Sequence, residues 1–263
     1  MTRLALVAFA LVGTLGLPAA ARGQDDALPP ATQTIEGRPV AQHTSLLQAL
    51  VDGAAAGARI EVPAGTWEGD LYLDRPIALV GVGRPLLRGS GHGSVVRVRA
   101  AGVTLEGLDI DGRRGGDLGR DTSGIHVTGA HVTIRDCRVR DALFGIYLRE
   151  ADDATVEHSA VTGIPDRPPG EVGSGIHVWN SQRFHLTNNE IVGTRDGMYI
   201  QSSSHGFVRG NHARDLPRDR GGAAQARRGG SGPSQDAWRV VGARCALRSA
   251  VDPVSPLSTA DRT

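Results

Sequence analysis

The chain has 263 residues, of which 40% are hydrophobic and 22% are charged, and this composition excludes both an intrinsically disordered polymer and a polytopic membrane protein. Its 29 basic residues are all arginine and nearly balance 28 acidic residues, which leaves a net charge of +1. Residues 24–213 contain more acidic than basic residues, so the sequence does not indicate a nucleic-acid-binding protein, whose phosphate contacts need clustered positive charge.

The first 23 residues are typical of a secretory signal peptide. Arg3 precedes an apolar run over residues 4–17, and the alanines at 19–21 supply a small-residue cleavage site. The run is too short to span a membrane comfortably. We therefore expect export of the chain, no transmembrane segment after removal of residues 1–23, and a linker over residues 24–43.

Residues 44–53 predict a short amphipathic helix, for which Thr44 and Ser45 are candidate N-caps and Gly53 marks the end. Its apolar residues recur at helical spacing and are Leu46, Leu47, Leu50 and Val51. We expect this helix to cover the first coil of the fold, where a strand edge would otherwise be exposed.

A sequence repeat organises the middle of the chain. Tetrapeptides of the form G-I-x-V, with conservative replacements, begin at Gly124, Gly145, Gly175 and Gly197, which are 21, 30 and 22 residues apart. A second apolar segment follows each tetrapeptide, and one also precedes the first. Insertions within residues 112–121 and 164–173, both rich in Gly and charged residues, explain the longer spacings and are interpreted as surface loops.

Within each repeat, apolar and other residues alternate with period two, which is typical of short half-buried strands. One repeat cannot bury its own apolar face, so the repeats must stack. The sequence therefore predicts an all-β fold over residues 44–215: a right-handed parallel β-helix, a solenoid of the pectate-lyase type. One position in each coil lies at a bend. We expect the polar side chains at this position to hydrogen-bond between coils and Cys137 to be buried. The residues at this position are Leu108, Cys137, Ser159, Asn189 and Asn211.

Residues 216–263 break the repeat. They are rich in Arg, Gly, Ala, Ser and Pro and contain no further G-I-x-V segment, which predicts a low-order, disordered tail. Two explanations are open: a natural disordered tail, or a frameshift in a GC-rich gene that replaced further coils.

The alternation places two columns of side chains on the outer surface. His126, Tyr147, His177 and Tyr199 form one column, and Thr128, Arg149, Trp179 and Gln201 form its neighbour. Tyr147, Arg149, Trp179 and Tyr199 are the candidate interaction surface, and an ordinary solvent-facing ladder is the alternative. His126 and His177 are candidate metal ligands by residue type, although two coils separate them by about 10 Å, too far to share one ion.

Two pairs of carboxylates, Asp109 with Asp111 and Asp152 with Asp153, raise the question of polysaccharide cleavage, which needs two carboxyl groups about 5–10 Å apart. The tripeptide at residues 91–93, Gly-His-Gly, is also found in polygalacturonases, but the rest of that signature is missing. Aspartates in turns explain these residues more simply. The sequence predicts no catalytic residue and no cofactor-binding residue.

The segments FGIYL, GSGIHVWNS and RDGMYI, in this order, resemble the NosD family, and the similarity covers about residues 44–215. Individually these segments are generic to carbohydrate-binding and sugar-hydrolase β-helices. The resemblance implies a non-catalytic periplasmic accessory protein for maturation of the copper–sulfur centre of nitrous oxide reductase, with the reductase and the membrane subunit of an ABC transporter as partners. A role for copper is implied by this resemblance only. Because family members continue with more coils, a truncated, non-functional copy is one interpretation; the alternative function is a secreted protein that binds or cleaves polysaccharide.

Overall fold

The computed structural model describes residues 32–34, 42–164, 166–216, 225–229, 237–241 and 245–248, with side chains for residues 46–164, 166–168 and 170–216. The predicted signal peptide, residues 1–23, and most of the predicted linker lie outside the described residues. In the described part of the chain, no helix has both the length and the apolar character needed to cross a membrane.

Three parallel sheets, named A, B and C here, run side by side along the molecule, and each complete coil contributes one strand to each of them. Sheet A contains the strands Thr32–Thr34, Arg59–Pro63, Ala78–Val82, Thr104–Glu106, Thr133–Arg135, Thr155–Glu157, His185–Thr187 and the first part of Phe207–Arg214. Sheet B contains Gln42–His43, Thr66–Glu68, Leu86–Arg88, Asp109–Asp111, Arg138–Arg140, Ala160–Thr162, Glu190–Val192 and the last part of Phe207–Arg214. Sheet C contains Leu71–Leu73, Val96–Val98, Ser123–Val127, Phe144–Arg149, Ile176–Trp179 and Met198–Gln201.

Three further strands pair antiparallel at the C-terminal end. Ala237–Val241 pairs with Met198–Gln201 of sheet C and with Gln225–Gly229, and Cys245–Arg248 pairs with Phe207–Arg214. Most of residues 216–263 lies outside the described residues, so the low-order tail stays a prediction.

The core is a continuous apolar column inside the three sheets. Ile125, Ile146, Ile176 and Met198 occupy the same register position on successive strands of sheet C, and each has 0% exposure. The predicted parallel β-helix and its stacking register are therefore confirmed.

The glycine that opens each G-I-x-V segment lies at the corner between sheets B and C. A Cβ atom on Gly145 would overlap the side chain of Val161 and the carbonyl oxygen of Gly175 in the next coil. A Cβ atom on Gly124 or on Gly175 would meet the equivalent groups of the coil that follows it. The repeat thus begins with glycine because the corner is too narrow for any side chain.

The predicted helix is observed at Thr44–Gly53 and packs against Leu71–Leu73, the first strand of sheet C, whereas Thr32–Thr34 and Gln42–His43 extend sheets A and B. Leu47 and Val51 are buried in the core. The amide of Gln48 accepts a hydrogen bond from the backbone N–H of Tyr72 at 2.8 Å and donates one to the carbonyl of the same residue at 2.9 Å. A helix side chain therefore supplies the hydrogen bonds that a further strand would supply to the edge of sheet C.

A buried polar ladder occupies the predicted bend between sheets A and B. The Asn189 Oδ1 accepts from the backbone N–H of Ser159 at 3.0 Å, and the Asn211 Oδ1 accepts from that of Asn189 at 2.9 Å. One coil earlier, the Ser159 hydroxyl oxygen accepts from the backbone N–H of Cys137 at 3.2 Å. The expected inter-coil hydrogen bonding and the buried position of Cys137, with 0% exposure, are confirmed.

The two insertions fold onto each other beside sheet C. Each contains a short 3-10 helix, Leu118–Arg120 in the first and Pro169–Glu171 in the second. A small apolar cluster joins them and consists of Leu143, Ile164 and Val172, with Leu118 packed against it. The Arg167 Nη2 donates to the carbonyl of Arg114 at 2.9 Å, which links the loops directly.

Candidate interaction surface

The outer face of sheet C carries one continuous column of aromatic and basic side chains, called the sheet C ladder here. Its members occupy paired register positions and are Tyr72, Arg97, His126, Tyr147, His177 and Tyr199. The rings of the last four contact one another in sequence, with centroid separations of 5.1, 4.5 and 5.0 Å. The predicted column is thus formed, and it extends two rungs further toward the N-terminus than the sequence analysis placed it. The signal for the extra rungs is the alternation in LYL and VRV, which the absence of a G-I-x-V motif obscured.

The middle of the ladder is buried rather than solvent-facing. Tyr147 and His177 are only 5% and 8% exposed. The Phe144 ring packs edge-on against both, at 5.3 and 5.4 Å. Gly173, at the end of the second insertion, lies so close to that ring that a Cβ atom would overlap it. The sequence analysis placed the Tyr147 side chain on the exposed outer surface, but an insertion loop and Phe144 cover it.

Burial sets the protonation of the ladder. Desolvation lowers the pKa of His177 to about 4, with Arg195 acting in the same direction and Asp196 against it. Both ring nitrogens of His177 are buried and have no hydrogen-bond partner among the described residues. Desolvation also raises the pKa of Tyr147 to about 12. Both rings are therefore uncharged at neutral pH, and the centre of the ladder carries no charge.

The exposed part of the predicted surface lies mainly in the second column, two residues further along the strands. Arg149 pairs in register with Trp179, and its guanidinium lies 4.8 Å from the centroid of the indole ring. Asp121 of the first insertion lies 3.7 Å from the same guanidinium. Tyr199 is half-buried at the last rung. Trp179 and Arg149 thus form an aromatic and cationic pair, and Tyr199 lies on the next coil in the neighbouring column. The three residues are called the patch here, and their composition is typical of binding hot spots.

The structure does not bring the two predicted metal ligands together. The Tyr147 ring lies between His126 and His177. Copper(I) prefers thiolate and thioether ligands, but burial raises the pKa of the Cys137 thiol to about 12, and Met198 is fully buried. Within the described ranges, no group of three or more His, Cys, Asp or Glu residues is arranged to hold a metal ion. These residues do not fit a copper site.

The candidate carboxylates form ion pairs with arginines. Asp109 and Asp111 each have an arginine nitrogen close by, at 3.0 and 2.7 Å. Asp152 and Asp153 share Arg183, whose hydrogen bonds lower the pKa of Asp153. A general acid for glycoside cleavage needs a raised pKa, whereas the pKa of Asp153 is lowered.

A model of the family described as right handed beta helix region matches residues 89–226, just over half of the chain. The chain belongs to this β-helix family. Two curated relatives are each named "Probable ABC transporter binding protein NosD". The relative from Pseudomonas aeruginosa is 29% identical over 153 residues, 56% of this chain and 36% of the relative. The relative from Stutzerimonas stutzeri is 26% identical over 141 residues, 53% of this chain and 32% of the relative. This β-helix protein is thus NosD-like and spans about a third of the length of these curated relatives.

Solved structures of the same architecture include two polysaccharide enzymes. An alginate lyase from Paenibacillus has a TM-score of 0.57 at 18% identity, over 69% of this chain and 66% of the lyase. A polygalacturonase from Erwinia carotovora has a TM-score of 0.55 at 13% identity, over 74% of this chain and 63% of that enzyme. At these identities the β-helix protein shares their fold, and a shared fold does not imply a shared activity.

Proposed function

We propose that this chain is an exported, periplasmic, non-catalytic accessory protein of the NosD type, which works with an ABC transporter during maturation of the copper–sulfur centre of nitrous oxide reductase. Two findings support the proposal: the similarity to proteins named as ABC transporter binding proteins, and the patch of Trp179, Arg149 and Tyr199 on a rigid sheet. The patch is the single structural observation that carries it.

In this proposal the coils act as a docking scaffold and not as the copper carrier. A stacked solenoid holds its outward side chains in fixed register, so little conformational entropy is lost when a partner binds. Trp179 and Arg149 offer a partner a large apolar ring and a guanidinium in one place. The copper ligands are then expected on the reductase or on another partner, because Cys137 and Met198 are buried in the core.

The proposal is tested by measuring binding of the full chain to the detergent-solubilised membrane subunit of the cognate transporter and, separately, to copper-free nitrous oxide reductase. We expect Trp179→Ala to weaken binding to at least one of them by about tenfold or more, the effect of losing an aromatic hot spot. Phe207→Ala is the matched control, because Phe207 is a half-buried aromatic residue on sheet A. Equal affinities for wild type and Trp179→Ala would contradict docking through this patch.

A functional readout accompanies the binding experiment. In a strain that lacks its own NosD, the chain with Trp179→Ala should leave more nitrous oxide reductase without its copper–sulfur centre, as judged by the visible absorption of the purified reductase. Polysaccharide cleavage is the competing function. Measurable release of products from a panel of acidic and neutral polysaccharides would favour it over the accessory role.

A further inference from the structure

A pocket of about 320 Å³ lies beside the N-terminal half of the sheet C ladder. Two consecutive strands of sheet C, the residues that follow them and the first insertion contribute its walls. The lining residues are Arg97, Val98, Arg99, Arg120, His126 and Thr128. The lining therefore contains several guanidinium groups and an imidazole but no carboxylate.

Arg97 is the best-fixed cation of this pocket. Its Nε is buried and has no hydrogen-bond partner in the described part of the chain. Its guanidinium lies 5.6 Å from the centroid of the Tyr72 ring, which holds it from the neighbouring rung. A guanidinium that is held in one position loses less conformational entropy when it binds a ligand.

The other two arginines keep most of their charge available to the pocket. Arg99 pairs with Asp74 at 3.3 Å, but both side chains are more than half exposed. Arg120 and Asp117 are 4.0 Å apart and even more exposed. Ion pairs of this kind are weak, so both guanidiniums can turn toward a ligand, and the lining itself has three arginines and no carboxylate.

We propose that this pocket binds an oxyanion, namely the carboxylate, phosphate or sulfate group of a small organic molecule. Guanidinium groups bind such anions through paired N–H donors. The volume is at the lower end of the range for small-molecule pockets, and it fits an anionic group with a body of about one sugar ring. The Tyr72 ring also lies 5.8 Å from the Arg99 guanidinium, so one aromatic ring holds two of the cations that line the pocket. This site is separate from the patch around Trp179 and does not depend on the proposed docking role.

His126 provides an internal reporter of occupancy. The charged groups that act on it are Arg97 and Arg149, which favour the neutral imidazole, and Asp121, which favours the charged form; its other neighbour is the uncharged Tyr147 ring. Burial lowers the pKa of His126. A bound anion adds negative charge and therefore raises the pKa of His126.

The experiment titrates the full chain with phosphate, sulfate and glucuronate by isothermal calorimetry, with glucose as the uncharged probe. We expect saturable binding of at least one anion, no binding of glucose, and at least tenfold weaker binding in Arg97→Gln. Arg209→Gln removes an exposed arginine of sheet A and should bind like wild type. The ranking of phosphate, sulfate and glucuronate identifies which anionic group the pocket prefers.

A second measurement separates binding in the pocket from a general loss of positive charge. NMR titration of His126 should show a pKa that rises when the preferred anion is present in wild type and does not move in Arg97→Gln. Unchanged far-UV circular dichroism establishes that the variant is folded. The absence of saturable anion binding, equal binding by Arg97→Gln and Arg209→Gln, or an unmoved His126 pKa in the presence of the anion would each overturn the proposal.

Discussion

Tyr147 and His177 stack on neighbouring rungs of sheet C, with ring centroids 4.5 Å apart and an interplanar angle of 28°. Phe144 and Tyr199 contact the imidazole edge-on, at 5.4 and 5.0 Å. The histidine is therefore enclosed by aromatic rings, and a second positive charge, that of Arg195, acts on it from outside the stack. These surroundings favour the neutral imidazole over the imidazolium, so the stability of the fold should depend on pH.

We predict that the free energy of unfolding falls as the pH is lowered from 7.5 to 4.5, and that His177→Phe removes much of this fall. The folded pKa of His177, about 4, lies below its ordinary value of 6.5, so the unfolded chain binds the proton more readily. The contribution is present above pH 6.5 and is lost as the pH falls toward 4; at one pKa unit per 1.4 kcal/mol it amounts to about 3 kcal/mol.

Urea unfolding at several pH values checks this prediction. His185→Phe is the control, because it makes the same replacement at an exposed histidine of sheet A. The two variants must diverge as the pH falls. A His177→Phe variant with the same pH dependence as wild type would mean that the imidazole is hydrated.

A second prediction concerns the polar ladder at the bend between sheets A and B. Asn189 is 1% exposed; its Oδ1 accepts from the N–H of Ser159, and its Nδ2 donates to the carbonyl of Val156 at 2.9 Å and to Asn211 Oδ1 at 2.8 Å. Asn189→Ala leaves buried backbone groups without partners, and we expect it to lower the free energy of unfolding by about 3 kcal/mol.

Chemical denaturation measures this cost, and Thr187→Ala is the matched control two residues earlier on the outer surface. Thr187 is half-buried at the surface of sheet A, so its replacement should change stability by no more than about 0.5 kcal/mol. If Asn189→Ala is equally mild, water has taken over the hydrogen bonds of the missing amide.

The stacking register of the later coils could be predicted from sequence, because it depends on local alternation and on one recurrent glycine. Gly145 and Ile146 can be placed in the fold from the few residues around them, and the stacking register follows from the recurrence of this pattern. The same reasoning located Asn189 at the bend, since a fixed repeat length brings the equivalent residue of each coil to the same place.

The covering of the ladder could not be predicted in the same way. Tyr147 alternates like an exposed residue, yet the loop that ends at Gly173 packs on Phe144 and excludes water from it. Such a contact depends on how two irregular insertions fold back. The sequences of these insertions have no periodicity from which the contact could be predicted. The role of Arg97 was missed for a related reason: the early coils lack the motif that marks the later ones, and the pocket also needs Arg120 from an insertion.

A third prediction concerns charges that alternate along sheet B. Glu68, Arg88, Asp111 and Arg140 occupy one register position on successive coils, with nitrogen–oxygen distances of 3.0, 3.7 and 2.7 Å along the series. Asp111 is 7% exposed and lies between the two arginines. Asp111→Asn removes the charge that both guanidiniums share, and we expect a loss of about 1–2 kcal/mol, because the arginines are partly exposed and screened.

Thermal and urea unfolding at low and at 1 M salt checks this prediction, since screening should reduce the difference between Asp111→Asn and wild type. Glu190→Gln is the control. Its partner Arg214 lies 3.0 Å away, but both side chains are more than half exposed, so the change should be close to zero. A difference for Asp111→Asn that does not respond to salt would assign the effect to the new amide N–H donors, which face the donors of Arg88 and Arg140.

The fourth prediction concerns the corner glycine. Gly145→Ala places a Cβ atom against Val161 and the carbonyl oxygen of Gly175, and neither the packed valine nor the backbone of the next coil can move away cheaply. We expect a loss of at least about 3 kcal/mol, because overpacking in a fixed backbone forces shifts in several coils at once. Gly170→Ala is the control, since a Cβ atom there meets no atom within 4 Å. Because Gly145→Ala could prevent folding altogether, its yield of soluble chain and its circular dichroism are measured together with its urea midpoint. A Gly145→Ala variant as stable as Gly170→Ala would show that the coils can separate at this corner, and the steric reason for the G-I-x-V motif would then be wrong.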